Sequence, residues 1–169
     1  MRNEKILVVD DDPAIRRLIW KSLQSTGILI YQSDSVEKTV DIMTRVKFDL
    51  FLLDISLEHE NDGYYLAQII REEDPLVPII FLSGKKNEED IITGLEMGGD
   101  YYITKPFLPN LLRAQVTVTL DRGQVLKEHR ALSKESKIMI GDFCFDKSRY
   151  QLYKKEEPIK LSSKETKLM

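Results

Sequence analysis

Lys47-Phe-Asp-Leu-Phe-Leu-Leu-Asp-Ile-Ser56 decides how the rest of the chain is read. Its unbroken apolar run, Leu50 to Leu53, has the pattern of a strand buried on both faces, and such strands belong to parallel sheets. The run ends in a lone carboxylate, Asp54. At the C-terminal end of a central parallel strand, this group would face the crevice where open α/β sheets place their ligands. The stretch by itself equally allows a loop aspartate that caps the following turn.

Working outward, the same grammar recurs on both sides. Ile6-Leu7-Val8-Val9 runs into Asp10-Asp11-Asp12-Pro13. Aspartate is favoured at a helix cap and proline at the first helical position, so a helix starts here with Ile15, Leu18, Ile19 and Leu23 as its apolar stripe. The cap accounts for Asp12. Asp10 and Asp11 remain as carboxylates at a strand end, where mutual repulsion calls for a cation or a basic side chain. Gly27 stops the helix, Ile28 to Tyr31 forms a second strand, and Ser35 to Val46 a second helix with Val36, Val40 and Met43 on one side. After Asp54, a polar loop leads to Gly63 and a helix carrying Tyr65, Leu66, Ile69 and Ile70. Ile79 to Leu82 is a fourth strand, ending in Ser83-Gly84-Lys85. Asn87 to Met97 is a helix stopped by Gly98-Gly99, and Tyr101 to Thr104 is a fifth strand closed by Lys105-Pro106-Phe107. An amphipathic helix from Leu108 through Leu120 can continue into the charged segment 121–137.

Strand and helix alternating five times predict an α/β fold, a doubly wound parallel sheet of five strands with helices on both faces. Beyond it the pattern changes to short strands at 138–140, 143–145, 151–153 and 159–161, with a turn over 154–158. Ser162-Ser163-Lys164-Glu165 has capping-box spacing and predicts the start of one more helix. The expected division is a first domain over 1–121, a linker over 122–137 that can prolong the fifth helix, and an incomplete second domain over 138–169.

The bulk numbers agree with two units. The 169 residues suffice for one well-cored domain and part of another. Net charge is −3, yet residues 1–121 hold 13 Lys and Arg against 21 Asp and Glu, while residues 122–169 hold 12 against 7. A basic tail fits nucleic acid or simply a solvated face. One cysteine, Cys144, excludes an internal disulfide framework and reads as an inert strand thiol. The chain opens without a signal-peptide pattern and has no bilayer-length apolar stretch, so it is expected to be cytoplasmic, with no membrane partner.

Strands one, three, four and five end in Asp10-Asp11, Asp54, Ser83 and Lys105. A parallel sheet brings those ends to one edge, so three carboxylates, a hydroxyl and an ammonium share one pocket. Clustered carboxylates suit Mg²⁺, a carboxylate can accept a phosphoryl group as an acyl phosphate, and Lys105 and Ser83 can supply charge and a donor to phosphoryl oxygens.

Ile-Leu-Val-Val-Asp-Asp-Asp-Pro at 6–13, Asp54, Phe-Leu-Ser-Gly at 81–84 and Tyr-Ile-Thr-Lys-Pro-Phe at 102–107 resemble the receiver domain of bacterial two-component response regulators. The resemblance implies the flavodoxin-like strand order 2-1-3-4-5. It implies that Asp54 is the phosphoacceptor for a sensor histidine kinase, and that Asp11, Asp54 and the Ser56 carbonyl ligate Mg²⁺ with Asp10 acting partly through water. Ser83 and Lys105 would bind the phosphoryl oxygens, and Tyr102 would swing inward when Ser83 moves. Such a chain is a phosphoacceptor signalling protein rather than an enzyme, though it catalyses its own phosphotransfer and dephosphorylation. The tail, Ile140-Gly141-Asp142-Phe143 with Glu157-Pro158-Ile159 and Leu161 to Glu165, is similar to the start of the winged-helix effector domain of OmpR/PhoB-type transcription regulators. The recognition helix and wing would lie past residue 169, so promoter DNA is an expected partner only of a complete effector domain, and no DNA-binding residue is expected in this chain.

Three departures stand out. The loop Leu57 to Gly63 lacks the usual proline, is one residue longer and is more acidic, which predicts a more mobile loop; His59 in it reads as solvated. Gly84 replaces the commoner alanine, leaving the pocket more open. On the output face, where relatives pair charges across a dimer, this chain has Ile91, Tyr101, Leu111 and Gln115, which predicts a homodimer on phosphorylation with an apolar interface. Two other classes compete: a pseudo-receiver that binds partners without phosphate, and a phosphatase with an aspartyl nucleophile. Asp54-Ile55-Ser56 lacks the second aspartate that the phosphatase would use as general acid, and no glycine-rich phosphate loop follows the first strand.

Overall fold

The computed structural model describes residues 3–85, 87–134, 137–140, 143–146, 151–154 and 157–159. The chain divides into two compact units, Met1–Gly123 and Gln124–Met169. In the first, β1 (Lys5–Val9), α1 (Pro13–Leu23), β2 (Leu29–Ser33), α2 (Val36–Arg45), β3 (Leu50–Asp54), α3 (Asp62–Glu73), β4 (Ile79–Ser83), α4 (Glu88–Glu96) and β5 (Tyr101–Thr104) precede α5 (Pro109–Lys134), within which the division falls. The five strands form one parallel sheet in the order β2-β1-β3-β4-β5, as the sequence predicts.

Alternation along each strand makes this a two-faced core. Leu7, Val9, Phe51, Leu53, Ile79 and Phe81 point to one face, where they meet Met43 of α2 and Leu66 and Ile70 of α3. Ile6, Val8, Leu50, Leu52, Ile80 and Leu82 point to the other, against Ile19 and Leu23 of α1 and Leu112, Val116 and Leu120 of α5. Every residue of β3 and β4 is buried. Each large apolar side chain so placed contributes on the order of 1.5–3 kcal/mol of burial, which fixes the register and carries the polar strand ends into position.

Local signals place the helices. Asp12 accepts a hydrogen bond from the Ala14 N–H at 2.7 Å with Pro13 in the first turn, and Ser35 caps α2 by accepting from the Lys38 N–H at 3.3 Å. Gly27 takes the left-handed φ of 78° that reverses the chain into β2. Strand β2 starts at Leu29 rather than Ile28, because Leu29 is the residue in register with Lys5. In α3 the expected stripe shifts: Tyr65 is 58% exposed, whereas Tyr64 is buried with its ring edge-on to Phe81. The helix starts at Asp62, which turns Tyr64, Ala67 and Ile70 inward together. Leu18 likewise sits at the rim of α1, 36% exposed.

The second unit contains an antiparallel sheet of β6 (Lys137–Ile140), β7 (Phe143–Asp146), β8 (Gln151–Lys154) and β9 (Glu157–Ile159), paired in chain order. The last strand falls at Glu157–Ile159 instead of 159–161, since Pro158 lies opposite Tyr153. The turn expected at 154–158 includes residues outside the described ones, and the capping-box helix at 162–165 lies wholly outside them.

Candidate functional site

Strand register assembles the site. Val9 is level with Leu53, Asp54 with Leu82 and Ser83 with Thr104, so Asp10, Asp54, Ser83 and Lys105 leave the sheet on the same edge. Asp10 is fully buried, Asp54 6% exposed and Ser83 2% exposed. Lys105 reaches across β3 to β1: its Nζ donates to Asp10 Oδ2 at 2.7 Å and to Asp54 Oδ2 at 2.8 Å. One carboxylate oxygen from each of Asp10, Asp11 and Asp54 lies within 4.8 Å of the others.

The loop after β1 is built to hold this cluster. The Asp12 N–H donates to Asp10 Oδ1 at 3.0 Å, while Arg16 in the first turns of α1 donates through one guanidinium nitrogen to the carbonyls of Asp10 (2.5 Å) and Asp11 (3.0 Å). The Ser56 N–H lies 3.4 Å from Asp54 Oδ1, and the Lys105 N–H donates to the Ser83 carbonyl at 2.6 Å, fixing the end of β5 against β4. Gly63 makes the closest approach: its N–H donates to the Ile55 carbonyl at 3.0 Å, and a Cβ there would lie 2.1 Å from the Asp54 carbonyl oxygen.

Charge balance explains the electrostatics. Burial pushes the Asp10 carboxyl above its ordinary range, the hydrogen bond and charge of Lys105 oppose this, and the neighbouring Asp54 adds to the rise. Burial alone would lower the Lys105 ammonium, but hydrogen bonds and charge from Asp10 and Asp54 outweigh it and raise the group instead. One ammonium faces three carboxylates. The residual negative charge and the hard oxygen donors fit a small divalent cation, which takes one or two carboxylates and keeps several waters.

The remaining expected residues fall as follows. Tyr102 is half-buried against the core, with its hydroxyl donating to the Lys85 carbonyl at 3.2 Å. A Cβ on Gly94 would meet that ring at 2.9 Å, so the glycine in α4 makes room for it. Tyr101 and Leu111 are 46% and 56% exposed, Ile91 is half-buried, and Gln115, also half-buried, donates to Thr119 Oγ1 at 3.3 Å. Ile92, Leu95, Leu108 and Val118 add exposed apolar area on α4, on α5 and just ahead of α5. His59 is exposed, as expected, with Nδ1 3.5 Å from Asp62. In the acidic loop after β3, Glu60 pairs with Lys85 at 2.8 Å. Gly84 does open space, since a Cβ there would find nothing within 4 Å.

Sequence reasoning missed Arg16, Glu60, Lys85 and the close-packed Gly63 and Gly94. A basic residue one turn after an aspartate cluster is a readable signal for Arg16. Nothing local pairs Glu60 with Lys85, which are 25 residues apart.

The family model for the response regulator receiver domain matches residues 6–117. Among curated relatives, the probable transcriptional regulator ycf27 of Porphyridium aerugineum is 36% identical over 169 residues, covering 100% of this chain and 70% of the relative. The alkaline phosphatase synthesis transcriptional regulatory protein PhoP of Bacillus subtilis is 34% identical over 170 residues, covering 99% and 70%. Among solved structures, the BeF3-activated DrrB receiver domain is 32% identical with a TM-score of 0.65, covering 71% of this chain and 99% of that one. Response regulator DrrB of Thermotoga maritima, described as an OmpR/PhoB homologue, is 28% identical with a TM-score of 0.62, covering 99% of this chain and 70% of its own. No helix among the described residues is long and apolar enough to cross a membrane.

Proposed function

The chain belongs to the response regulator receiver family of two-component systems, with transcriptional regulators as its relatives, and from that premise we propose that Asp54 accepts a phosphoryl group from a sensor histidine kinase. The observation that carries this is the shared ammonium: Lys105 Nζ bridges Asp10 and Asp54 at 2.7 and 2.8 Å, within a cluster of three carboxylates.

The chemistry follows from the geometry. A carboxylate oxygen of Asp54 attacks phosphorus, an O–P bond forms, and the bond from phosphorus to the donor atom breaks with its electron pair leaving on the donor. In a histidine kinase that atom is an imidazole nitrogen. Negative charge spreads over the phosphoryl oxygens as this happens, so positioned cations and donors lower the barrier. Lys105 supplies a fixed positive charge, and its raised affinity for a proton keeps it charged throughout the neutral range. Ser83 supplies a hydroxyl donor. Asp10, Asp11, Asp54 and the Ser56 carbonyl would hold Mg²⁺, which when bound screens the approaching anionic oxygens from the carboxylates. Burial of Asp10 and Asp54 excludes bulk water from one side of the group that reacts.

Tyr102 and Ser83 then report the state of Asp54 to the output face. The surface around Ile91, Tyr101, Leu111 and Gln115 is the proposed homodimer face, and its exposed apolar side chains take the place of ion pairs. Transcription control would pass through a complete effector domain reading promoter DNA. Incubating the full chain with acetyl phosphate and Mg²⁺ tests the reading by a phosphate-affinity gel shift: the shift is expected to vanish with EDTA and in Asp54→Asn. No shift in the wild type with any small donor would overturn it in favour of a phosphate-independent interaction module.

A further inference from the structure

Lys105 holds two of the three clustered carboxylates and leaves the third. Its Nζ donates to Asp10 and Asp54, both buried, whereas Asp11 is exposed and its carboxylate accepts no hydrogen bond among the described residues. An oxygen of Asp11 nevertheless lies within 4.8 Å of one from each of the other two. With no side-chain partner to hold it, Asp11 depends on its backbone.

That backbone lies between two peptide groups, and both are held. The carbonyl of Asp10, in the peptide before Asp11, accepts from Arg16 Nη1 at 2.5 Å. In the peptide after it, the Asp11 carbonyl accepts from the same nitrogen at 3.0 Å, and the Asp12 N–H donates to Asp10 Oδ1 at 3.0 Å. Peptide groups are rigid planes, so fixing the two that flank Asp11 also fixes its φ and ψ.

Nothing else on the page favours a cation at residue 16. Arg16 is the fourth residue of α1, near the end where the helix dipole disfavours positive charge. It also stands beside carboxylates suited to a divalent cation, which its own charge repels. Asp34, after β2, does not account for it either: the Asp34 carboxyl is lowered mainly by its hydrogen bond from Lys38, which makes the ion pair at 2.8 Å, and only in smaller part by Arg16.

We propose that Arg16 is a positioning residue for the divalent cation: by holding both peptide groups that flank Asp11, it presents the Asp11 carboxylate to a cation shared with Asp54. This inference rests on the reading of the cluster as the Mg²⁺ site of a phosphoacceptor.

The test is a titration of the full chain with Mg²⁺ alone, followed by the amide NMR shifts of residues 10, 11 and 54. Ordering the backbone of one residue on binding weakens an equilibrium by about five- to thirtyfold. Arg16→Gln is therefore expected to lower Mg²⁺ affinity by about fivefold or more, although it removes a positive charge. Arg17→Gln removes the same charge one residue away, from an exposed side chain, and is expected to leave the affinity unchanged or slightly raised. Arg16→Lys keeps the charge but exchanges the planar guanidinium for a compact ammonium, and is expected to fall between Arg16→Gln and wild type. It is read in place of Arg16→Gln if that variant does not fold, with wild-type affinity as the overturning result. Unchanged or tighter binding in Arg16→Gln, even with a lowered urea midpoint, would reduce Arg16 to a charge or a structural residue and overturn the proposal. An equal loss in Arg17→Gln would overturn it too. A wild type that binds no Mg²⁺ at the cluster overturns the underlying reading, whereas wild-type binding with an indifferent Arg16→Gln defeats the role of Arg16 alone.

Discussion

Gly63→Ala tests how the position of Asp54 is enforced. A Cβ at residue 63 would lie 2.1 Å from the Asp54 carbonyl oxygen, 2.7 Å from Ile55 Cα and 2.9 Å from the Asp54 carbonyl carbon. Comfortable contacts between carbon atoms begin near 3.5 Å, and all three neighbours are backbone of a segment with no free space, as Asp54 and Ile55 are both buried. Overpacking of this kind costs ~1–3 kcal/mol or more, and alanine returns at most about 1 kcal/mol through helix propensity. Relief requires α3 to draw back, which also stretches the Gly63 N–H to Ile55 carbonyl bond, a further ~1 kcal/mol. The expected net loss is about 2–3 kcal/mol, which lowers the urea midpoint by roughly 1–2 M. The only tryptophan, Trp20, sits in α1, so its fluorescence follows the first unit alone. Gly84→Ala is the control, with an unchanged midpoint because its Cβ has nothing within 4 Å. A Gly63→Ala protein with a wild-type midpoint and wild-type labelling by acetyl phosphate would refute the argument.

Three further outcomes follow from the same structure. Asp10→Asn should raise stability by about 1 kcal/mol at pH 7, several degrees in Tm, because it removes a buried charge while Lys105 keeps Asp54, yet it should abolish Mg²⁺-dependent labelling. The Asp10 carboxyl is raised above its ordinary 3.8 in the folded protein, so the native state binds that proton more tightly. The advantage of the variant should therefore shrink as pH falls through the raised value and disappear below 3.8; an advantage that grows in acid would contradict this. Gly94→Ala should change stability by less than about 1 kcal/mol, since helix propensity offsets the lost Tyr102 to Lys85 bond, but it should move the Tyr102 ring outward, visible as lost ring-to-core contacts by NMR. With beryllofluoride bound, sedimentation should give a dimer of similar strength at low and high salt, broken by Leu111→Glu; a dimer that salt dissolves would restore a charge-paired interface.

The fold was legible because the strands of the sheet are short runs closed by a polar residue, and α1 and α2 carry their own side-chain caps. Asp12, Pro13, Ser35 and Gly27 signal locally what they do, and the structure keeps them in those roles. The convergence of Asp10, Asp54, Ser83 and Lys105 was legible too, since parallel strands deliver their ends to one edge whatever the loops do. Helix phase was less so: Tyr64 and Tyr65 are adjacent and alike, and only the start of α3 at Asp62 decides which is buried. What the sequence did not disclose depends on distance across the fold. Glu60 meets Lys85, Arg16 meets backbone carbonyls, and Gly63 and Gly94 matter for what packs against them, none of which has a spacing to read.

The central claim is that one carboxylate among three neighbours carries the phosphoryl group, and locating it chemically tests that most directly. The full chain is labelled with acetyl phosphate and Mg²⁺, then reduced with borohydride, which converts an acyl phosphate to a primary alcohol and so turns the modified aspartate into homoserine. Peptide mass spectrometry should find homoserine at residue 54 and aspartate at residues 10 and 11. Homoserine at 10 or 11, or none at all in protein that labels, would contradict it.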